Sequence, residues 1–204
     1  MATPTTRGRH RQRPRHKRER RRGKGQMGED AMTGTATANE GMTYALRREA
    51  ERLEEDALYS SKGHFNAEHT WIRRNYLLGV PATVLGAVAR AALIKSRPDW
   101  AKAFTLLASL LTGLMTFLKP NERAALHRAA AGQFLALRNE ARFFREIELL
   151  QSDRLDKLPE RMEALSAAGN ELNLKSPSIP RRAFVAARKG IEEGEATHIV
   201  DKKE

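Results

Sequence analysis

The chain has 204 residues, enough for one ordinary domain with an appendage or for two small domains. Its formal net charge is +12, but residues 7–24 alone contain 11 Lys or Arg and one acid, so the remainder is close to neutral. The absence of cysteine excludes a disulfide framework and a thiolate metal site. No apolar segment follows the basic stretch, and we therefore expect no secretory signal peptide.

The first predicted region is residues 1–41, which show no apolar periodicity and are rich in Arg, Gly, Thr and Ala. This composition predicts a disordered basic tail. Such a block often binds polyanions, either nucleic acid or acidic lipid head groups. It has no aromatic residue, so stacking on single-stranded bases is not expected. The alternative is that translation starts at Met27, Met32 or Met42 and that the tail is absent.

An amphipathic helix is predicted over residues 42–75, with Thr43 as its N-cap. Apolar or small residues recur at alternating spacings of four and three, and Arg and Glu occupy the other faces. The seam consists of Leu46, Ala50, Leu53, Ala57, Ser60, His64, Ala67 and Trp71.

Two apolar runs follow, at residues 76–94 and 100–118, and each contains 19 residues with a single charge, Arg90 or Lys102. At about 1.5 Å per residue, each run spans about 28 Å, close to the hydrocarbon thickness of about 30 Å. The alternative is a buried helical hairpin in a soluble bundle, but both runs are apolar on every face. A chain of this length also has too little further apolar sequence to cover them. Transmembrane helices are therefore predicted, with interfacial aromatics at Trp71, Tyr76 and Trp100.

The short connection at residues 95–99 requires the two runs to be antiparallel, so both flanking regions lie on one side of the membrane. Seven Lys or Arg lie near the outer ends and three near the turn, which favours both termini in the cytoplasm. The predicted fold class is all-α: an integral membrane protein with a two-transmembrane-helix hairpin flanked by long amphipathic cytosolic helices.

Cytosolic helices are predicted over residues 121–193. Two further four-and-three seams support them. The first is Leu126, Ala130, Phe134, Leu137, Ala141 and Phe144, and the second is Leu155, Leu158, Met162, Leu165, Ala168 and Leu172. Pro159 fits only near the start of its helix.

The second apolar run carries four hydroxyl side chains on one helical face, with Gly113 beside them. These are Thr105, Ser109, Thr112 and Thr116. Such a stripe suits a water-filled pore formed by several subunits. The alternative is that the hydroxyls bond within their own helix and that small residues only allow close packing. Arg90 either snorkels to the interface or faces a pore. Pro81 is either a hinge or a tolerated irregularity.

No catalytic, cofactor or metal signature is found: the phosphate-binding glycine patterns, HExxH and the nucleophile elbow are all missing. His64 lies on the apolar seam, which is typical of a packed, hydrogen-bonded histidine. Glu residues alternate with Arg or Lys, as on solvated helix faces. We therefore expect neither an enzyme nor a bound cofactor.

Five local strings resemble a known family, and they occur in its order. They are EDALYSSKGHF (55–65), LGVPATVL (78–85), LMTFLKPNER (114–123), LRNEARFFREI (137–147) and IPRRAFVAARKGIEEGE (179–195). Together they are similar to the SLATT proteins, the SMODS- and SLOG-associating two-transmembrane effectors of bacteria. The resemblance covers residues 42–202, leaving the basic tail outside it.

The resemblance implies an effector of bacterial conflict or antiviral systems that is located in the bacterial inner (plasma) membrane. On activation by a separate sensor, often a nucleotide-signalling protein, such an effector would oligomerise and form a pore or otherwise disrupt the inner membrane. Assembly would take place through the amphipathic helices, whose apolar seams are similar to those of coiled coils. These helices are predicted at 43–74, 121–150 and 155–173. The expected partners are thus membrane lipid, further copies of the chain and the sensor, with nucleic acid involved only through the tail. The alternative is a non-conducting membrane anchor whose cytosolic helices dock a partner protein.

Overall fold

The computed structural model describes residue 2 and residues 16–95, 97–151 and 156–198, with side chains from residue 39 onward. Among these residues the secondary structure is helical and no strand occurs, as the sequence predicts. The helices are α1 (His16–Ile94), α2 (Pro98–Leu118), α3 (Pro120–Glu146), α4 (Leu158–Lys175) and α5 (Arg181–Glu192), with a 3₁₀ turn at Glu148–Leu150.

Helix α1 begins at His16, well before the predicted start at residue 42. Its first turns thus fall within the segment 1–41 for which the sequence predicts disorder, whereas residues 1 and 3–15 of that segment lie outside the described residues. Once a helix is nucleated, each added residue gains a hydrogen bond, so a helix can extend beyond its apolar pattern. Thr43 is therefore inside α1 and not at its N-cap, and its hydroxyl donates to the Asn39 carbonyl oxygen (2.9 Å).

The chain divides into two units, Met1–Ala45 and Leu46–Glu204, and the tertiary packing below lies within the second. Its core forms where α1, α3 and α4 bring their apolar seams together. Phe144 and Leu165 are among its largest fully buried side chains. The core residues are Ala50, Ala57, Phe134, Leu137, Phe144, Leu149, Leu158, Met162 and Leu165.

Two of the predicted seam positions are wrong by one residue. Leu126 is 59% exposed, and its neighbour His127 is buried instead. Ala168 is exposed, and Gly169 is buried at the seam. A Cβ at Gly169 would lie 3.1 Å from Leu53 Cδ1 and 3.4 Å from a Leu137 Cδ atom, so close helix packing favours glycine there. Leu155 lies outside the described residues.

Proline marks the start of three helices, because its missing N–H is not needed in a first turn. Pro98 begins α2, Pro120 begins α3, and Pro159 lies in the first turn of α4, as predicted. Between α2 and α3, Lys119 serves as the cap of both helices and adopts a left-handed conformation with φ 46°. That conformation costs a side-chain-bearing residue about 1 kcal/mol, so the junction is a defined bend in the backbone.

Two helices are long and apolar enough to cross a membrane. In α1 only 11% of the most apolar 18-residue window is buried, and in the helical stretch Pro98–Leu150 only 6%. Core helices of soluble proteins bury most of such a window. Thirteen large apolar side chains within residues 76–94 and 100–118 are exposed. They are Tyr76, Leu77, Val80, Val84, Val88, Leu93, Ile94, Trp100, Leu106, Leu107, Leu110, Leu114 and Phe117.

Candidate functional site

The four hydroxyl side chains of α2 lie together on an exposed face. The packed side of α2 is formed instead by residues at spacings of three and four. Those packed residues are Ala101, Phe104, Ala108, Leu111, Met115 and Leu118. From the helical repeat, the two faces lie about a quarter of a turn apart. Thr105, Ser109, Thr112 and Thr116 are all exposed, so the protomer leaves this stripe uncovered.

Two of the four hydroxyls are bonded within the helix. Thr112 Oγ1 donates to the Ala108 carbonyl oxygen (2.9 Å), and Thr116 Oγ1 donates to the Thr112 carbonyl oxygen (3.0 Å). Each hydroxyl oxygen keeps lone pairs that can accept a hydrogen bond from water or another helix. Beside the stripe, no atom would lie within 4 Å of a Cβ added at Gly113. The face is therefore both polar enough for water and open enough for a second helix.

Helix α1 contributes Arg90 and Pro81 to the predicted site. Arg90 is exposed one turn before the helix ends at Ile94, whereas its neighbour Ala89 is buried. The helix continues through the exposed Pro81 without interruption. Nearby, a Cβ at Gly79 would lie 3.2 Å from Met115 Cε, so the apolar parts of α1 and α2 touch at this level.

A buried histidine pair joins α1 to α3 in the helical bundle. His64 and His127 are 2% and 4% exposed, and their Nδ1 atoms are 2.9 Å apart. The His64 ring also stacks on Phe134, with centroids 5.5 Å apart. Burial, and next the neighbouring His127, lower the pKa of His64 from 6.5 to about 4, and burial lowers the pKa of His127 as well. Both rings are thus neutral at pH 7, and one Nδ1–H donates to the unprotonated Nδ1 of the other.

The sequence places His64 on the seam correctly, but it does not identify His127 as its partner. The two residues are 63 positions apart, and hydropathy favours Leu126 for the buried position. A strict alternation of four and three counted back from Phe134 through Ala130 does reach His127. That spacing is the feature of the sequence that could have identified His127 as the buried residue.

A second feature missed in the sequence lies around Trp71, which is 9% exposed. The Arg74 guanidinium carbon is 4.5 Å from the ring centroid, and that of Arg123, on α3, is 5.0 Å away. The spacing of three between Trp71 and Arg74 is visible in the sequence, but the approach of α3 is not. Close by, buried Glu68 accepts a hydrogen bond from Arg128 (3.3 Å).

Neither a metal centre nor an acid–base pair emerges from the part of the chain that the structure describes. There, no group of three or more His, Asp or Glu could hold a metal ion. One cleft of about 360 Å³ is lined by Glu51, Glu54 and Glu55. Glu54 is paired with Arg145 (3.1 Å), and Glu51 accepts a hydrogen bond from Arg48 (3.3 Å). The Glu51 pair lies on one exposed helix face, as the sequence predicts, whereas the Glu54 pair joins α1 to α3 and its carboxylate is only 17% exposed, which the sequence does not predict.

Comparison with protein-family models, with curated proteins and with solved structures finds no match for this chain. Its function must therefore be inferred from the arrangement of its own residues.

Proposed function

We propose that the protein is a membrane-embedded effector of a bacterial conflict or antiviral system. In this proposal the apolar parts of α1 and α2 cross the inner membrane as a hairpin, and both termini are cytoplasmic. The observation that carries the proposal is the exposure of those parts, since only 11% and 6% of their most apolar windows are buried. An exposed apolar belt of this size marks a surface that lipid or another protein covers.

The magnitude of this exposure favours lipid. Full burial of one large apolar side chain gains roughly 1.5–3 kcal/mol, so covering thirteen partly exposed ones would gain on the order of 15 kcal/mol. This is comparable with the whole stability of a folded domain, about 5–15 kcal/mol. The exposed side chains lie on most faces of both helices, and a bilayer covers all of those faces at once.

We further propose that copies of the hairpin assemble and breach the membrane when a separate sensor protein activates them. The uncovered hydroxyl stripe supports this step, because Thr105 and Ser109 would give a shared pore a polar wall. Gly113, open beside the stripe, would allow a second helix to approach closely. The resemblance to SLATT proteins adds the biological setting: growth arrest or death of an infected cell.

A non-conducting anchor that docks a partner protein is the second candidate. It is favoured by the Thr112 and Thr116 hydroxyls, which already donate to carbonyl oxygens of their own helix. A hydroxyl group that already donates its hydrogen bond within the helix does not require the water of a pore as a partner. Arg90 is also close enough to the end of α1 for its side chain to reach the interface.

Controlled expression of the full chain in bacteria separates the two candidates. The pore predicts rapid loss of the dye-reported membrane potential, followed by growth arrest. Ser109→Leu combined with Gly113→Leu should abolish both effects while the protein still reaches the membrane. Ala103→Leu, a single small-to-large change at an exposed position of α2 outside the stripe, should retain them.

A normal membrane potential with the protein in the membrane, even after co-expression of candidate sensor proteins from neighbouring genes, would contradict the pore and support the anchor. Equal toxicity in the double variant would also contradict the pore.

A further inference from the structure

A cluster of positive charge lies next to the apolar belt, which is formed by the exposed apolar side chains of residues 76–94 and 100–118. The Arg74 and Arg123 guanidinium groups both lie against the ring of Trp71, at 4.5 Å and 5.0 Å from its centroid. Arg74 belongs to α1 and Arg123 to α3, so the packing of two helices creates the cluster. Both arginine side chains are exposed, whereas the indole is nearly buried beneath them.

The two charges have no acidic partner among the described residues: no carboxylate oxygen there lies within 4.0 Å of Arg74 or Arg123. The nearest acid in sequence, Glu122, is 3.1 Å from Lys119 instead. By contrast Arg128, further along α3, is paired with Glu68. Two guanidinium groups at one aromatic ring repel each other, and the ring offsets this repulsion only in part. An anion bound at the cluster would supply the missing negative charge.

The position of the cluster along the helices identifies the anion. Arg74 precedes the first apolar run at Tyr76 by two residues, and Arg123 follows the second run's end at Leu118 by five. At 1.5 Å per residue, Arg74 lies about 3 Å beyond the apolar part of α1, and Arg123, which follows the bend at Lys119, lies at most about 8 Å beyond that of α2. The head-group layer of a bilayer extends about 5–8 Å beyond the hydrocarbon on each side. Both guanidinium groups would therefore lie level with lipid phosphates.

We infer that Arg74 and Arg123, held by Trp71, bind the phosphate of an anionic phospholipid in the cytoplasmic leaflet. The inference rests on the proposed membrane crossing. A planar guanidinium group matches phosphate oxygens with paired hydrogen bonds. A lipid suits the site better than a soluble phosphate because the apolar surface continues next to it: Tyr76 and Phe117 are 64% and 83% exposed, and they are available to the acyl chains.

Tryptophan fluorescence tests the site directly. The chain has two tryptophans, so Trp100→Phe leaves Trp71 as the reporter in the full-length protein. The protein is reconstituted into phosphatidylcholine vesicles in two parallel series. One series contains a small fraction of phosphatidylglycerol brominated near the head group, and the other contains the same fraction of phosphatidylcholine brominated at the same position. The inference predicts stronger quenching of Trp71 by the brominated phosphatidylglycerol, with each variant normalised to its own unquenched intensity.

Removing the charges should remove the preference. Each arginine at a membrane surface contributes about a fivefold change in affinity for anionic lipid, so Arg74→Gln with Arg123→Gln should lower the preference by more than tenfold. Arg74→Lys with Arg123→Lys should keep part of it. The matched control, Arg48→Gln with Arg52→Gln, removes the same charge about 36–42 Å along α1 from Tyr76 and should leave the preference intact.

An unchanged preference in the glutamine variant, or an equal loss in the control, would overturn the lipid site. Alkaline extraction keeps this result separate from the proposed function. Protein that stays in alkali-washed vesicles without any lipid preference contradicts only the lipid site. Protein that the wash removes contradicts the membrane crossing itself.

Discussion

The helical bundle and the two apolar segments distribute the same kinds of side chain in opposite ways. In the bundle, large residues such as Phe144 and Leu165 are fully buried and charged residues cover the surface. In the apolar segments, small residues such as Ala89 and Ala101 are buried, whereas Leu106 and Phe117 are 75% and 83% exposed. The bundle thus has the pattern of a domain surrounded by water, whereas the apolar segments have the inverse pattern, which the proposed membrane crossing would explain. Helix α1 runs through both regions, and the difference between them lies in the large apolar side chains, which are buried in the bundle and exposed in the apolar segments.

The largest effect should come from truncating one phenylalanine in each region. Phe144→Ala creates a cavity in the bundle core and should lower the free energy of unfolding by about 3–5 kcal/mol. Phe117→Ala, at an exposed site, should lower it by less than about 1 kcal/mol, because no tertiary cavity forms. Chemical unfolding in mild detergent, followed by circular dichroism, measures both. Equal losses would show that the two regions are packed alike.

The next largest effect should come from a charge placed among the exposed apolar side chains of α2. Its cost, in free energy of membrane insertion, should be nearly as large as the loss of unfolding free energy in Phe144→Ala, but it should appear only in the membrane. Leu110 is 59% exposed, so Leu110→Arg would be harmless in water. Near the middle of a membrane helix an arginine costs about 3 kcal/mol of insertion free energy. The fraction of protein that resists alkaline extraction should therefore fall sharply. Leu174→Arg, at an 88% exposed site on α4, is the control and should not change that fraction.

The histidine pair makes the bundle sensitive to acid. Since the pKa of His64 is lowered from 6.5 to about 4, its neutral form is favoured by folding. The contribution of neutral His64 to the free energy of unfolding is complete above pH 6.5 and declines as the pH falls from 6.5 toward 4. It amounts to about 3 kcal/mol at most. Unfolding curves at pH 7.5 and pH 5 measure the loss.

Replacing both histidines by leucine should flatten this pH dependence, because no ring then remains to be protonated. A pH dependence that persists in the double variant would locate the acid-sensitive groups elsewhere in the protein.

The smallest contrast concerns two glycines. Gly169→Ala brings a Cβ to 3.1 Å from Leu53 Cδ1 and should destabilise the bundle by about 1 kcal/mol. Gly113→Ala meets nothing within 4 Å and should leave stability unchanged or raise it by up to about 1 kcal/mol. Thermal unfolding of the two variants in detergent shows the difference. A loss at Gly113 as large as that at Gly169 would mean that α2 is already packed against another helix.

Periodicity and hydropathy predict much of this architecture, because burial follows the helical repeat. The all-helical class, the end of α2 at Leu118 and the seam from Ala50 to Ala67 are predicted in this way. The exact seam fails at His127 and Gly169, where a polar partner or a close backbone approach outweighs hydropathy. Such contacts depend on a second helix that is distant in the sequence.

The same limit applies to the candidate sites. The hydroxyl stripe of α2 follows from spacing within one helix, and the structure shows the four side chains together on an exposed face. The cluster at Trp71 needs α3 to bring Arg123 to α1, and no spacing along the chain predicts that approach. Sites within one helix are therefore accessible from sequence, whereas sites between helices are not.

Single cysteines test the central claim, the membrane-crossing hairpin, most directly, because the natural chain has none. Asp99→Cys places a thiol at the turn between α1 and α2, and Asn170→Cys places one on the exposed side of α4. In spheroplasts treated with a membrane-impermeant maleimide, the hairpin predicts labelling of Asp99→Cys in intact cells and of Asn170→Cys only after lysis. Labelling of both variants only after lysis would contradict the membrane crossing.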